Sequence, residues 1–222
     1  MSGANKIEGA IKAELELGVP DGWRSRGYLP HREELGLVQF ITYRLADSLP
    51  QEKLRALEVE LARVPDGERE IARRKQIEVW LDSGLGCCAL RRGEVAKVVE
   101  AAFLHGDGVR YHLMAWCVMP NHVHVLIRPR DALGKIVQSW KSFTGRWAME
   151  RNAELELGVP GAVFWMREYW DRFMRDERHL RQTLEYIHTN PVKAGLCGRA
   201  EDWRWSSARR AGSAELQLGS GG

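Results

Sequence analysis

The segment Pro120-Asn121-His122-Val123-His124-Val125-Leu126-Ile127 carries two histidines two positions apart inside an apolar run. On a β-strand, residues so spaced share one face and stand about 6.6 Å apart along it. Val123, Val125 and Ile127 then point the other way, into a core. Two neutral imidazoles fixed on a strand behind a tight turn are half of a site for a divalent metal; the pattern also suits two histidines on an exposed strand face. A phosphate hydrolase of the HIT type needs a third alternating histidine, and that position holds Leu126. A metallo-β-lactamase pattern wants Asp and then His, where this chain has Leu126 and Ile127.

A third ligand is offered by Leu184-Glu185-Tyr186-Ile187-His188-Thr189-Asn190. Tyr186 and Asn190 are four apart, on one face of a helix and about 6 Å along its axis. Two imidazoles and one amide oxygen form a site without charge of its own, suited to Mg²⁺ or Mn²⁺ completed by substrate phosphate oxygens. A phenol has a pKa of about 10 and attacks a phosphodiester only where a metal polarises the phosphate. Of the other tyrosines, Tyr43 and Tyr111 fall in strands and read as packing residues, whereas Tyr169 remains a rival nucleophile. His188, two residues from Tyr186, falls on a different helix face and is not read as catalytic.

The elements that must position these groups follow from periodicity. Val38–Arg44 reads as a strand, rich in β-branched and aromatic residues. Gln51–Val64 and Asp66–Leu81, separated by Pro65-Asp66-Gly67, read as two helices of an arm packed on the core. Gly93–His105 is an amphipathic helix with Val95, Val98, Val99 and Phe103 on one face. Tyr111–Met119 and His122–Ile127 are apolar strands joined by Pro120-Asn121. Arg130–Arg151 is a basic amphipathic helix whose apolar stripe is Ile136, Trp140, Phe143 and Trp147. Asp176–Ile187 is a helix, with Asn190 as a distorted last position before Pro191. The order gives an α+β plan around an antiparallel hairpin, compatible with a ferredoxin-like sandwich whose fourth strand the sequence does not reveal.

The composition bounds the rest. The chain has 222 residues, 44% hydrophobic and 28% charged, which suits one globular domain with room for an arm and excludes a fibrous or wholly disordered chain. Lys and Arg total 33 against 30 Asp and Glu, a net charge of +3 that is too mild to announce a nucleic-acid binder. That total hides a local excess: residues 128–151 hold Arg128, Arg130, Lys135, Lys141, Arg146 and Arg151 against only Asp131 and Glu150. Cys87, Cys88, Cys117 and Cys197 form no C-x-x-C pair and read as reduced thiols of a cytoplasmic protein, without a zinc knuckle. No apolar stretch has signal-peptide or membrane-span length, so a soluble, unexported protein is expected. No phosphate-binding G-x-x-x-x-G-K-[ST] loop is present. Ala13–Pro20 recurs as Ala153–Pro160, and in part at residues 214–219, copies too short and irregular for a solenoid. They read as insertions that alter loop length.

Met119-Pro120-Asn121-His122-Val123-His124 together with Tyr186-Ile187-His188-Thr189-Asn190-Pro191-Val192-Lys193-Ala194-Gly195-Leu196 resembles the HUH single-tyrosine transposases of the insertion-sequence type. It looks most like the branch associated with REP palindromes. Gln39-Phe40-Ile41-Thr42, Leu45-Ala46-Asp47-Ser48, Trp140-Lys141-Ser142-Phe143, Tyr169-Trp170-Asp171-Arg172 and residues 203–208 add to it. The resemblance implies an α+β, ferredoxin-like HUH nuclease sandwich with a central antiparallel sheet and an added helical arm. It divides the chain into a peripheral segment 1–27, a transposase domain 28–210 with the arm 50–85 inserted, and a flexible tail 211–222. It implies cutting and rejoining of single-stranded or hairpin DNA through a 5′-phosphotyrosine intermediate, by a cytoplasmic, nucleoid-associated monomer or homodimer. His122, His124 and Asn190 would hold the metal and Tyr186 would be the nucleophile, which displaces Tyr169. Arg128, Arg130, Lys135, Lys141, Arg146, Arg172 and Lys193 would contact DNA. A hairpin-binding protein that does not cut is the alternative; a hydrolase of small nucleotides lacks the extra ligands.

Overall fold

The computed structural model describes residues 36–209 and the backbone of two short strands, β1 (Trp23–Ser25) and β2 (Pro30–Arg32), which pair antiparallel. Of the expected peripheral segment 1–27 only Trp23–Ser25 is described; the rest of it, the first and third repeat copies and the tail lie outside the described residues. From residue 36 the order is β3 (Gln39–Arg44), α1 (Gln51–Leu61), α2 (Asp66–Asp82), α3 (Gly93–His105), β4 (Tyr111–Val118), β5 (His122–Pro129), α4 (Leu133–Glu150), β6 (Trp170–Phe173) and α5 (Glu177–Lys193).

Strands β3 to β6 form one antiparallel sheet in the order β4-β5-β3-β6. With α3 and α4 as its connections this is the βαββαβ plan expected from sequence. The missing fourth strand is β6, four half-buried residues at the sheet edge, where Phe40 pairs with Arg172.

Alternation along the strands separates two faces. Ile41 and Tyr43 of β3 and Val123, Val125 and Ile127 of β5 point to one face, against Val95, Val99 and Phe103 of α3 and Ile136 and Trp140 of α4. Each such side chain contributes roughly 1.5–3 kcal/mol by leaving water. Phe40, Ala115, Cys117 and Leu126 point to the other face, against Ile187 of α5. On β4 the register shifts between Leu113 and Ala115, so Leu113 and Trp116 share a face despite being three apart.

The arm is a helical hairpin. Both helices begin just after a proline, Pro50 and Pro65, which presets the backbone angle for entry. Arg73 of α2 reaches Glu58 of α1 at 2.6 Å, and Leu57, Leu61 and Leu81 are buried. Three expectations are corrected. Helix α5 runs through Asn190 and Pro191 to Lys193. In a last turn the proline forfeits a single backbone bond, and Ala194 N–H still donates to the Asn190 carbonyl at 3.0 Å. On α4, Phe143 is 57% exposed, because the buried stripe is centred on Val137, Trp140 and Thr144. The repeat copy at 153–160 does more than lengthen a loop. Leu157 and Val159 are buried in the core, and Asn152 clasps Val159 through both amide atoms.

Candidate active site

Strand β5 places His122 and His124 on the sheet face that α5 covers, opposite the face of α3 and α4. Both are buried, and their Nε2 atoms are 3.0 Å apart. The remaining ring nitrogens are held from behind. Asn121 donates its amide hydrogen to the Leu85 carbonyl at 2.9 Å, which turns Oδ1 toward His122 Nδ1 at 2.8 Å. His122 therefore keeps its proton on Nδ1 and points a lone pair from Nε2. His124 Nδ1 meets the Thr42 hydroxyl at 2.8 Å, and its ring stacks on Phe40 at 5.5 Å.

The loop behind Asn121 has little freedom. Asp47 accepts from Cys87 N–H at 2.6 Å. A Cβ on Gly86, whose φ is 85°, would stand 2.8 Å from the Asp47 carbonyl oxygen. Only glycine fits that turn.

Helix α5 starts at an Asp176 cap, whose carboxylate accepts from His179 N–H at 2.7 Å. It presents Tyr186 and Asn190 to the histidines. The Tyr186 ring lies 5.3 Å from that of His124 and 5.9 Å from that of Phe40. Asn190 is fully buried and neither amide atom has a hydrogen-bond partner. Lys193 sits over the Tyr186 ring at 5.2 Å. Arg172 and Arg74 both lie against Trp170, at 5.4 and 4.7 Å.

The arm reaches the same place. Arg74, Glu78 and Asp82 recur every four residues on α2, and Asp82 Oδ1 lies 3.9 Å from His122 Nε2. Sequence reading missed both acids; their spacing on one helix face was the signal available.

Burial dominates the electrostatics. It lowers the His122 pKa to about 3, and it lowers that of His124 well below the usual range, with His122 adding to the effect. Burial raises the Tyr186 phenol, the negative charges of Glu78 and Asp82 raise it further, and Arg172 opposes them. Asp82 rises to about 6 through burial and then Glu78, against Lys193 and the nearby Asn190 amide. That amide favours the ionised carboxylate without making a hydrogen bond of ordinary length.

Two buried nitrogens 3.0 Å apart avoid repulsion only by sharing a proton or a cation. Ligands at right angles, each about 2.1 Å from one ion, are also about 3.0 Å apart. The orphaned Asn190 oxygen adds a hard donor, so the residues fit a divalent cation. Among the described residues no three His, Cys, Asp or Glu side chains form a closed metal cluster.

Of the residues expected from sequence, His122, His124, Tyr186, Asn190, Arg172 and Lys193 come together. The others lie elsewhere. Lys135 and Arg146 are exposed on α4, which packs on the opposite sheet face. Lys141 donates to the Met166 and Arg167 carbonyls at 2.6 Å. Arg128 is six residues along β5 from His122, about 20 Å away. Arg130 donates to the Gly108 carbonyl. Tyr169, the rival nucleophile, is buried in the core on the far face. The four cysteines are free, and no helix among the described residues is long and apolar enough to cross a membrane.

Residues 95–190 match the family described as IS200-like transposases. A Haemophilus influenzae protein provisionally named a REP-associated tyrosine transposase is 30% identical over 117 residues, covering 48% of this chain and 64% of that protein. The REP-associated tyrosine transposase of Escherichia coli is 25% identical over 101 residues, covering 45% and 56%. The chain thus spans less than two thirds of the length of either relative. A solved REP-associated tyrosine transposase bound to a REP hairpin is 17% identical, with a TM-score of 0.48 over 84% of this chain and 83% of that one. Over residues 95–190 this chain is thus similar to the IS200-like transposases, and it resembles two REP-associated tyrosine transposases over about half its length.

Proposed function

We propose that this protein cuts and rejoins single-stranded DNA at a REP-like hairpin, with Tyr186 as nucleophile and His122, His124 and Asn190 as holders of Mg²⁺ or Mn²⁺. The observation that carries this reading is the approach of the Tyr186 ring to His124, 5.3 Å between centroids, on the helix face that also carries Asn190. The match of residues 95–190 to a transposase family and the names of the two relatives support it.

The chemistry follows from the placement. A bound divalent cation would polarise the scissile phosphodiester and offset its charge. Tyr186 Oη bonds to phosphorus as it gives up its proton; the bond to the 3′ oxygen breaks, and that oxygen leaves as a hydroxyl. Attack by a 3′ hydroxyl on the phosphotyrosine returns or transfers the strand. Lys193 sits over the phenol ring, Arg172 is near enough for its charge to act on the phenol, and both suit the entering phosphate. Neutral His122 and His124 keep their lone pairs at physiological pH. Phe40 and the sheet behind them exclude water from one side of the site.

The test compares wild type with Tyr186→Phe on end-labelled single-stranded hairpin DNA with Mn²⁺ or Mg²⁺. A covalent adduct to the 5′ phosphate of the downstream fragment is expected for wild type alone. An adduct that survives Tyr186→Phe sinks the nucleophile assignment. Tight hairpin binding without any adduct favours a protein that holds hairpins without cutting them.

A further inference from the structure

We infer that Asp82, carried by the helical arm and not by the ferredoxin-like core, is a ligand of the cation held by His122, His124 and Asn190. The inference rests on the reading of those residues as a metal site.

The placement of Asp82 argues for it. Its Oδ1 lies 3.9 Å from His122 Nε2. Two ligands each about 2.1 Å from one ion stand at most about 4.2 Å apart, so one ion can touch both, although Asp82, His122 and His124 do not form a preassembled trio of ligands among the described residues. Asn190, fully buried with no hydrogen-bond partner on either amide atom, faces the same carboxylate. Among the described residues Asp82 has no Lys or Arg within 4.0 Å, although its side chain is only 29% exposed. It is also the last residue of a 17-residue helix, where the helix dipole disfavours an anion. Such a position is costly for a carboxylate unless a cation comes to it. Glu78, one turn earlier, differs: Arg74 and Arg172 act on it in addition to Lys193, which acts on both acids.

The consequence is a change in the charge of the site. Two imidazoles and an amide are neutral; with Asp82 the donor set carries one negative charge and attracts a hard cation before any DNA phosphate arrives. The arm is then part of the active site, and its attachment through Leu85 and Asn121 couples it to His122.

The test is calorimetric titration of the full chain with Mn²⁺, without DNA. Asp82→Asn is expected to weaken binding roughly 10- to 100-fold. Glu78→Gln should stay within about threefold of wild type, and His122→Ala should abolish binding. Near-wild-type affinity in Asp82→Asn, with binding lost in His122→Ala, overturns the role of Asp82 and leaves the histidine site standing. Absence of Mn²⁺ binding to wild type overturns both, and the tyrosine adduct assay then stands apart as the measure of the nucleophile. Should Asp82→Asn fail to fold, Asp82→Cys titrated with Co²⁺ replaces it. A thiolate-to-cobalt charge-transfer band absent from wild type supports direct contact, and Co²⁺ binding without that band overturns it.

Discussion

His122 Nε2 and His124 Nε2 meet at 3.0 Å, each held from behind through Nδ1, by Asn121 and by Thr42. The imidazoles are preorganised, so little ordering remains when a cation arrives. Binding to the folded protein alone stabilises it by about 2.7 kcal/mol at a hundredfold excess over Kd. For a chain of this size that is a rise in Tm of about 5–10 °C. Mn²⁺ is expected to produce this rise, EDTA to reverse it and His124→Ala to remove it. An equal shift in wild type and His124→Ala would place the metal elsewhere.

Asn190 gives a second prediction. An amide buried with both atoms unpaired costs about 1–3 kcal/mol, a cost retained here beside the histidines. Asn190→Leu keeps the volume and removes the polar atoms. The variant should unfold at higher denaturant by about 1–2 kcal/mol while losing the Mn²⁺-induced rise. A less stable Asn190→Leu protein would show that the amide serves the fold.

Asp82 predicts a pH dependence. Its pKa is raised from 3.8 to about 6, chiefly by burial and then by Glu78. The folded protein therefore keeps this proton to a higher pH than the unfolded chain. The stabilisation is complete below about pH 4 and is lost as pH rises through about 6. Asparagine does not ionise. In EDTA, Asp82→Asn should match wild type near pH 4 and exceed it at pH 8 by about 1–2 kcal/mol, discounted for partial exposure. Identical melting of the two proteins at pH 8 would refute this.

Much of this arrangement was legible because its signals are local. Val123, Val125 and Ile127 alternate with His122 and His124, which fixed both the strand and its two faces; α3 has the limits Gly93 and His105 that its periodicity gave. Strand β6 escaped because all four of its residues are half-buried and leave no alternation. The end of α5 was misread because proline weakens a helix without stopping its last turn. Asp82 was passed over because it lies 40 residues before His122, and its four-residue spacing from Glu78 falls on a helix whose polar face looks like any solvated one. Periodicity also cannot tell on which sheet face a helix packs, and so Lys135 and Arg146 were grouped with the site.

That difference of face supports the last prediction. Arg172 lies on the edge strand beside Trp170, and its charge pulls the Tyr186 phenol down against burial and the two arm carboxylates. Removing it leaves the phenol harder to ionise and removes a cation from the phosphate path. Arg172→Ala is expected to slow adduct formation at least about tenfold and to reduce the salt dependence of DNA binding by about one unit of slope. The pair Lys135→Ala with Arg146→Ala, exposed on the opposite face, should change the adduct rate by less than about twofold while lowering the salt slope at most equally. Rates measured in single turnover, at two salt concentrations, separate the two effects. A larger loss of rate from the α4 pair than from Arg172→Ala would mean that DNA crosses the helical face of the sheet and that Arg172 does not serve the phosphate.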